Sequence, residues 1–292
     1  MTNKTRLNNH LKKRQIKERT EVVQAELIEL QTKSGNNLEN YYMNVKNLDE
    51  DALTMFWKPK QAANNAADGH EMIQAAVDGY KDVLESLTKG YNAVQSANDT
   101  FTDSDWIEVQ NKLDQIVAGI KTTSRFTEFN GQNLIDGEYK SSTKSSKATF
   151  LVGVKPTDVV VFEPANMSPG TLGKITLDSP LIAQDGITEV QEVFITHFTS
   201  RGHEGVVLPV VSTDVAQIAL NTITSAIQFL KGTLSSASLT QDDLSRIKGF
   251  METKARKGES FLNKFKSDRA LELANELEDL EGQLELLNTM GN

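Results

Sequence analysis

The sequence predicts a mainly α protein with a β insert: a long coiled-coil helical bundle of paired N- and C-terminal helices and a small β-rich central region. Three observations predict it. Apolar residues recur at spacings of three and four towards both ends of the chain. Short β-branched runs, divided by Pro and Gly, cluster between residues 129 and 211. Helical seams on both sides of that insert each need an apolar partner, so the two arms are expected to lie side by side.

Residues 5–34 carry one long helical pattern, with Ile16, Val23, Leu27 and Leu30 at spacings of seven, four and three. Before Ile16 the seam fades into polar residues, and that part is expected to be disordered in a lone monomer. SGNN at 34–37 breaks the pattern. Residues 38–67 are compatible with helix, with a kink or restart near Pro59, because proline disfavours helix at Lys58. From residue 70, Ile73, Val77, Tyr80, Leu84, Leu87, Tyr91 and Val94 alternate by four and three. Thr102, Asp103 and Ser104 are all good N-caps for a following helix. Its inner face is Trp106, Val109, Leu113, Ile116 and Ile120, and it is expected to end near Ser124.

The stretch FTEFNGQNLIDG at 126–137 changes character. Asn130-Gly131 and Asp136-Gly137 are strong turn dipeptides around short apolar runs, which predicts hairpins. ATFLVGV, DVVVFE, KITL, ITEVQEVFIT and VVLPVV then read as short strands. The helical pattern returns at 213, loosens at SSAS (235–238), and continues through Leu244, Ile247, Met251, Phe261 and Phe265. Leu273, Leu277, Leu280, Leu284 and Leu287 close it in an acidic helix. The expected organisation is an N-terminal core helix (1–36), two bundle parts (37–128 and 212–266) flanking the β-rich region (129–211), and a C-terminal core helix (267–292).

Composition limits the function. Net charge is -9, which argues against a general nucleic-acid binder. There is no cysteine, so disulfides and thiolate metal sites are excluded. No run of about 18 apolar residues exists, so stable membrane insertion is not expected. The N-terminus has charge but no apolar h-region, and is not read as a cleavable secretory signal. Residues 1–20 hold seven Lys/Arg and one Glu, a net of +6, whereas residues 268–292 hold seven acids and one Arg, a net of -6. Ends of opposite sign can attract, within a chain or between chains.

AVQSAND (93–99), the helix led by SDW (104–106) and TSRFTEFNGQNLIDG (123–137) together resemble the N-terminal block of the bacterial flagellins, in order and spacing. TFLVGVKPTDVVVF (149–162) resembles the strand segment that follows in that family, and LIELQTKSGNNLEN (27–40) resembles the end of its first helix. The chain is thus similar to a divergent flagellin. It departs from the pattern at LENYYMNVKNLDEDALTMF, in its basic first helix and in its leucine- and acid-rich end. The resemblance implies a secreted, self-assembling structural subunit of the flagellar filament, exported without a cleaved signal peptide and serving motility. It implies a homopolymer whose terminal helices pair as a coiled-coil core. Other flagellins, cap and hook-junction proteins and a secretion chaperone follow as further partners. On this reading Ile16, Val23, Leu27 and Leu30 pack against Leu273, Leu277, Leu280, Leu284 and Leu287. Phe126, Phe129, Asn130, Gly131, Leu134 and Ile135 form and pack the hairpin. Two alternatives stay open: a hook–filament junction protein of the same family, and a non-polymerising surface adhesin.

Catalytic constellations are not apparent. His70-Glu71 and His203-Glu204 lack the second histidine of H-E-x-x-H, and His197 with His203 reads as two exposed loop histidines. Acids such as Glu276, Glu278, Asp279 and Glu281 lie on a solvated helix with no pocket to shift their pKa. No P-loop or nucleophile-elbow motif occurs. The expectation is no enzyme, no cofactor and no metal.

Overall fold

The computed structural model describes residues 3–32, 50–98, 100–139, 141 and 144–289. The SGNN break and the ambiguous stretch 38–49 lie outside them. The described residues contain four long helices: α1 (Asn3–Thr32), α2 (Glu50–Gln95), α3 (Asp103–Phe126) and α4 (Thr213–Thr289). They form two compact units, divided between residues 61 and 62 and between 249 and 250.

In the first unit, α1 pairs with the last part of α4. Val23, Leu30, Leu262 and Leu273 are buried together, with Leu27, Phe265, Leu277 and Leu280 packed around them. Each such side chain removed from water contributes roughly 1.5–3 kcal/mol before ordering costs. α1 begins at Asn3, so helix extends into the basic segment for which disorder was expected. An Arg14–Glu18 pair four residues apart (2.9 Å) adds local support there. α2 includes Pro59 without ending, so the helix does not restart there. Proline forfeits one backbone bond and crowds the preceding turn. That penalty is met here inside a 46-residue helix.

The second unit is a helical core under a β-rich cap. Ile73, Ala76, Tyr80, Val83 and Leu87 of α2 meet Val109, Leu113 and Ile120 of α3 and a small-residue face of α4, Ala216, Ala219, Ile223 and Ala226. α3 starts as its sequence predicts: Thr102 caps it, with a reciprocal capping box to Asp105. α3 then runs to Phe126, slightly past the expected end. α4 does not loosen at 235–238, where Ala237 is buried.

Three two-stranded antiparallel sheets follow α3. β1 (Glu128–Phe129) pairs with β2 (Gln132–Asn133), β3 (Ala148–Leu151) with β4 (Val159–Phe162), and β5 (Ile175–Ile182) with β6 (Glu189–Val193). Of the expected strands, ITEVQEVFIT shortens to β6 and VVLPVV is absent. Residues 195–198 form a 3-10 turn, and VVLPVV at 206–211 makes only an isolated bridge from Val206 to His203. Pro209 cannot donate a ladder hydrogen bond, yet Leu208 and Val210 are buried. The β-branched residues there serve packing rather than pairing.

Candidate assembly surfaces

The terminal seam brings its predicted residues to one place. Val23, Leu30 and Leu273 are fully buried, and Leu27, Leu277 and Leu280 are half-buried against them. Ile16, Leu284 and Leu287 are half-buried further along. Ion pairs flank the apolar strip. Arg19 donates to both carboxylate oxygens of Glu276, at 2.7 and 3.1 Å. Arg269 reaches Glu26 at 3.1 Å and Glu272 at 3.0 Å. Partner numbers on α4 fall as those on α1 rise, so the helices run antiparallel. The Arg19 hydrogen bond holds the Glu276 carboxyl below the usual carboxylate range. Both pairs are partly solvated, so they orient the seam more than they stabilise it.

Sequence periodicity placed Phe261 on this seam, but Phe261 is exposed and Leu262 is buried instead. Leu262 lies four residues after buried Gly258, and that step carries the inner stripe. Arg269 was also not foreseen as a seam residue. Leu11, Val22 (54% exposed), Phe261 and Leu271 (64% exposed) remain on the solvent side of the pair.

The turn block 126–137 is built from its own residues. Asn130 and Gly131 have φ of 51° and 74°, the two left-handed positions of a type I′ hairpin. Register is Glu128 with Asn133 and Phe129 with Gln132. Leu134 N–H donates to the Thr127 carbonyl at 2.8 Å, which ties the hairpin to the end of α3. Leu134 and Ile135 are fully buried, and Phe129 is half-buried against the core. A Cβ at Gly79 of α2 would lie 2.7 Å from Thr127 Cγ2 and 2.9 Å from Ile135 Cδ1, so only glycine lets the block seat there. The Asp136-Gly137 dipeptide makes a bend rather than a second hairpin. Asp136 accepts the Glu138 N–H and an Asn133 amide hydrogen, and Met167 N–H donates to Ile135 O at 2.7 Å.

Phe126 does not pack in this block: it is 77% exposed. Ile120 and Ser124 face the core at a four-residue step, and Phe126, two residues on, points to the opposite side of the helix. It lines a groove of about 970 Å³ together with Lys121, Arg125, Asp136, Glu138 and Arg201. Cations and carboxylates are mixed along this groove.

The histidines are a second correction. His197 is 4% exposed, not a loop residue in water. Its Nδ1 accepts the Phe194 N–H at 3.0 Å, and its ring lies 4.9 Å from that of His203. Burial, chiefly, and the neighbouring His203 lower its pKa from the ordinary value. Among the described residues, no group of three or more His, Asp and Glu is placed to hold a metal ion. No helix among them is long and apolar enough to cross a membrane.

Residues 58–140 match the family model of the bacterial flagellin N-terminal helical region. A flagellar filament 31.3 kDa core protein of Treponema maltophilum is 30% identical over 93 residues, 30% of this chain and 32% of that one. A flagellin of Bacillus subtilis (strain 168) is 27% identical over 149 residues, 49% of this chain and 48% of its own. A flagellin of Clostridium tyrobutyricum is 37% identical over 78 residues, 26% of this chain and 21% of its own. The matched part thus spans half or less of each of these relatives. A solved Bacillus cereus flagellin aligns over 64% of this chain and 88% of its own, at 12% identity and a TM-score of 0.46.

Proposed function

We propose that the chain belongs to the bacterial flagellin family and is a structural subunit that self-assembles into an extracellular helical filament serving motility. The observation that carries the reading is apolar surface left over after the terminal helices have paired. Val23, Leu30, Leu262 and Leu273 fill the inner seam. Leu11, Val22, Phe261 and Leu271 stay in water in a single chain. Covering them with further copies yields roughly 25 cal/mol per Å² of apolar area, repeated at every subunit. The partner is therefore first of all the chain itself. Other flagellins, cap and hook-junction proteins and an export chaperone belong to the same reading, and it assigns no catalytic role. The junction and adhesin alternatives find no support in the matches.

Leu280→Lys tests this. The substitution puts an ammonium group into the half-buried seam while leaving the 62–249 unit untouched. Purified protein at high concentration should give filaments by electron microscopy in the parent and none in the variant, with circular dichroism of the variant still reporting folded helix. Filaments of normal length from Leu280→Lys would sink the proposal.

A further inference from the structure

We propose that residues 194–211 form an acid-sensitive clip on α3, held shut by the neutral imidazole of His197 and released when that ring is protonated. The clip is a built feature of the second unit. Gln110 of α3 holds it at two points: its Nε2 donates to the Phe198 carbonyl, and its Oε1 accepts the Val210 N–H at 3.2 Å. Asp114, one turn on, accepts the Ser200 N–H at 2.7 Å. Leu208 N–H donates to the His197 carbonyl at 2.7 Å, which closes the segment on itself. Ile195, Phe198, Leu208 and Val210 are buried beneath it.

His197 sits where a proton does most harm. Its Nδ1 is the acceptor for the Phe194 N–H, so protonation would set a donor against a donor. The ring is almost wholly out of water, so a charge there loses its hydration. The adjacent ring is His203, which stacks on Phe194 at 4.7 Å and bonds Thr196 Oγ1 through its own Nδ1. A second imidazolium at that position would repel the first.

Among the described residues, no carboxylate is hydrogen-bonded to or ion-paired with His197. The segment 168–173, whose Leu172 and Gly170 pack against Ile195 and His203, has no charged side chain. α4 presents Thr222 and Ile223 on this side. On α3, the Asp114 carboxylate is committed to Ser200. Arg201 and Glu204 are on the clip itself, and the charge of neighbouring His203 adds to burial in disfavouring a protonated His197. A folded pKa below the unfolded value means that the clip's stability is intact above about pH 6.5 and declines as pH falls from there towards the folded pKa. The clip acts in the single chain, so it stands whether or not the chain polymerises.

Hydrogen exchange of the full chain, corrected for intrinsic rates, tests it between pH 8 and 5. Opening of peptides within 194–211 should rise by up to about tenfold per pH unit below roughly 6.5, while α2 and α3 core peptides stay protected. His197→Gln keeps an acceptor that cannot be protonated, and should flatten that dependence. Flat protection in the parent, an unchanged slope in His197→Gln, or simultaneous loss in the core peptides would overturn the proposal. Should the variant fail to fold, imidazole NMR of the parent decides. His197 must titrate below the ordinary histidine range, together with the clip amides. A His197 titrating at or above that range would refute it.

Discussion

Replacing Leu273 by Ala isolates what holds the terminal helices together. Leu273 is 0% exposed, at the centre of a four-residue cluster with Val23, Leu30 and Leu262. A buried Leu→Ala change costs about 2–5 kcal/mol, from lost transfer energy and an incompletely collapsed cavity. Arg19 makes the best-formed ion pair across the same seam, bidentate to Glu276, but its side chain is 49% exposed. An exposed pair is worth about 0.2–1 kcal/mol, so Arg19→Ala should cost far less. Hydrogen exchange over residues 12–30 in the full-length monomer measures both. Leu273→Ala should raise the opening constant by about 30-fold or more, and Arg19→Ala by about fivefold at most. Equal losses from the two variants would refute the view that apolar burial, rather than the opposite charges, keeps the ends paired.

Two further outcomes follow from local geometry. Gly131 has a φ of 74°, so Gly131→Val should cost at least about 1–2 kcal/mol and lower the midpoint of urea unfolding, with the Asn130 side of the turn losing protection first. Burial pushes the Tyr80 hydroxyl up to about 12, although the Ala165 N–H it accepts at 2.8 Å opposes the shift. A raised tyrosine pKa means that the unfolded chain ionises first. Stability should therefore be constant below about pH 10 and fall between about pH 10 and 12, and Tyr80→Phe should remove that decline while leaving Ala165 N–H without its acceptor.

Much of this was readable because some residues permit few conformations. Asn130-Gly131 allows little but a I′ turn, and Thr102 with Asp105 specifies a helix start. The Leu273–Leu287 repeat reads as helix whatever surrounds it. Side-chain facing was harder. Phe126 carries the same apolar signal as Leu134, but its phase on α3 turns it outward. The choice between Phe261 and Leu262 depends on how a 77-residue helix winds along its partner, and one residue of drift exchanges inside for outside. His197 was missed because its burial comes from distant segments, α3 and residues 168–173, that local pattern does not reveal. The strand-like run at 206–211 was misread because β-branched residues suit an irregular packed segment as well as a ladder.

The two cross-helix ion pairs match Arg19 with Glu276 and Glu26 with Arg269, and members of each set are seven residues apart. Leucines alone would tolerate sliding by one heptad, since apolar contacts are forgiving of translation. Slide one way and Arg19 comes opposite Arg269; slide the other way and Glu26 comes opposite Glu276. Either displacement trades an attraction for a repulsion. The four charges thus work as a keyed ratchet: weak as adhesive, they leave the correct alignment as the one in which no like charges meet.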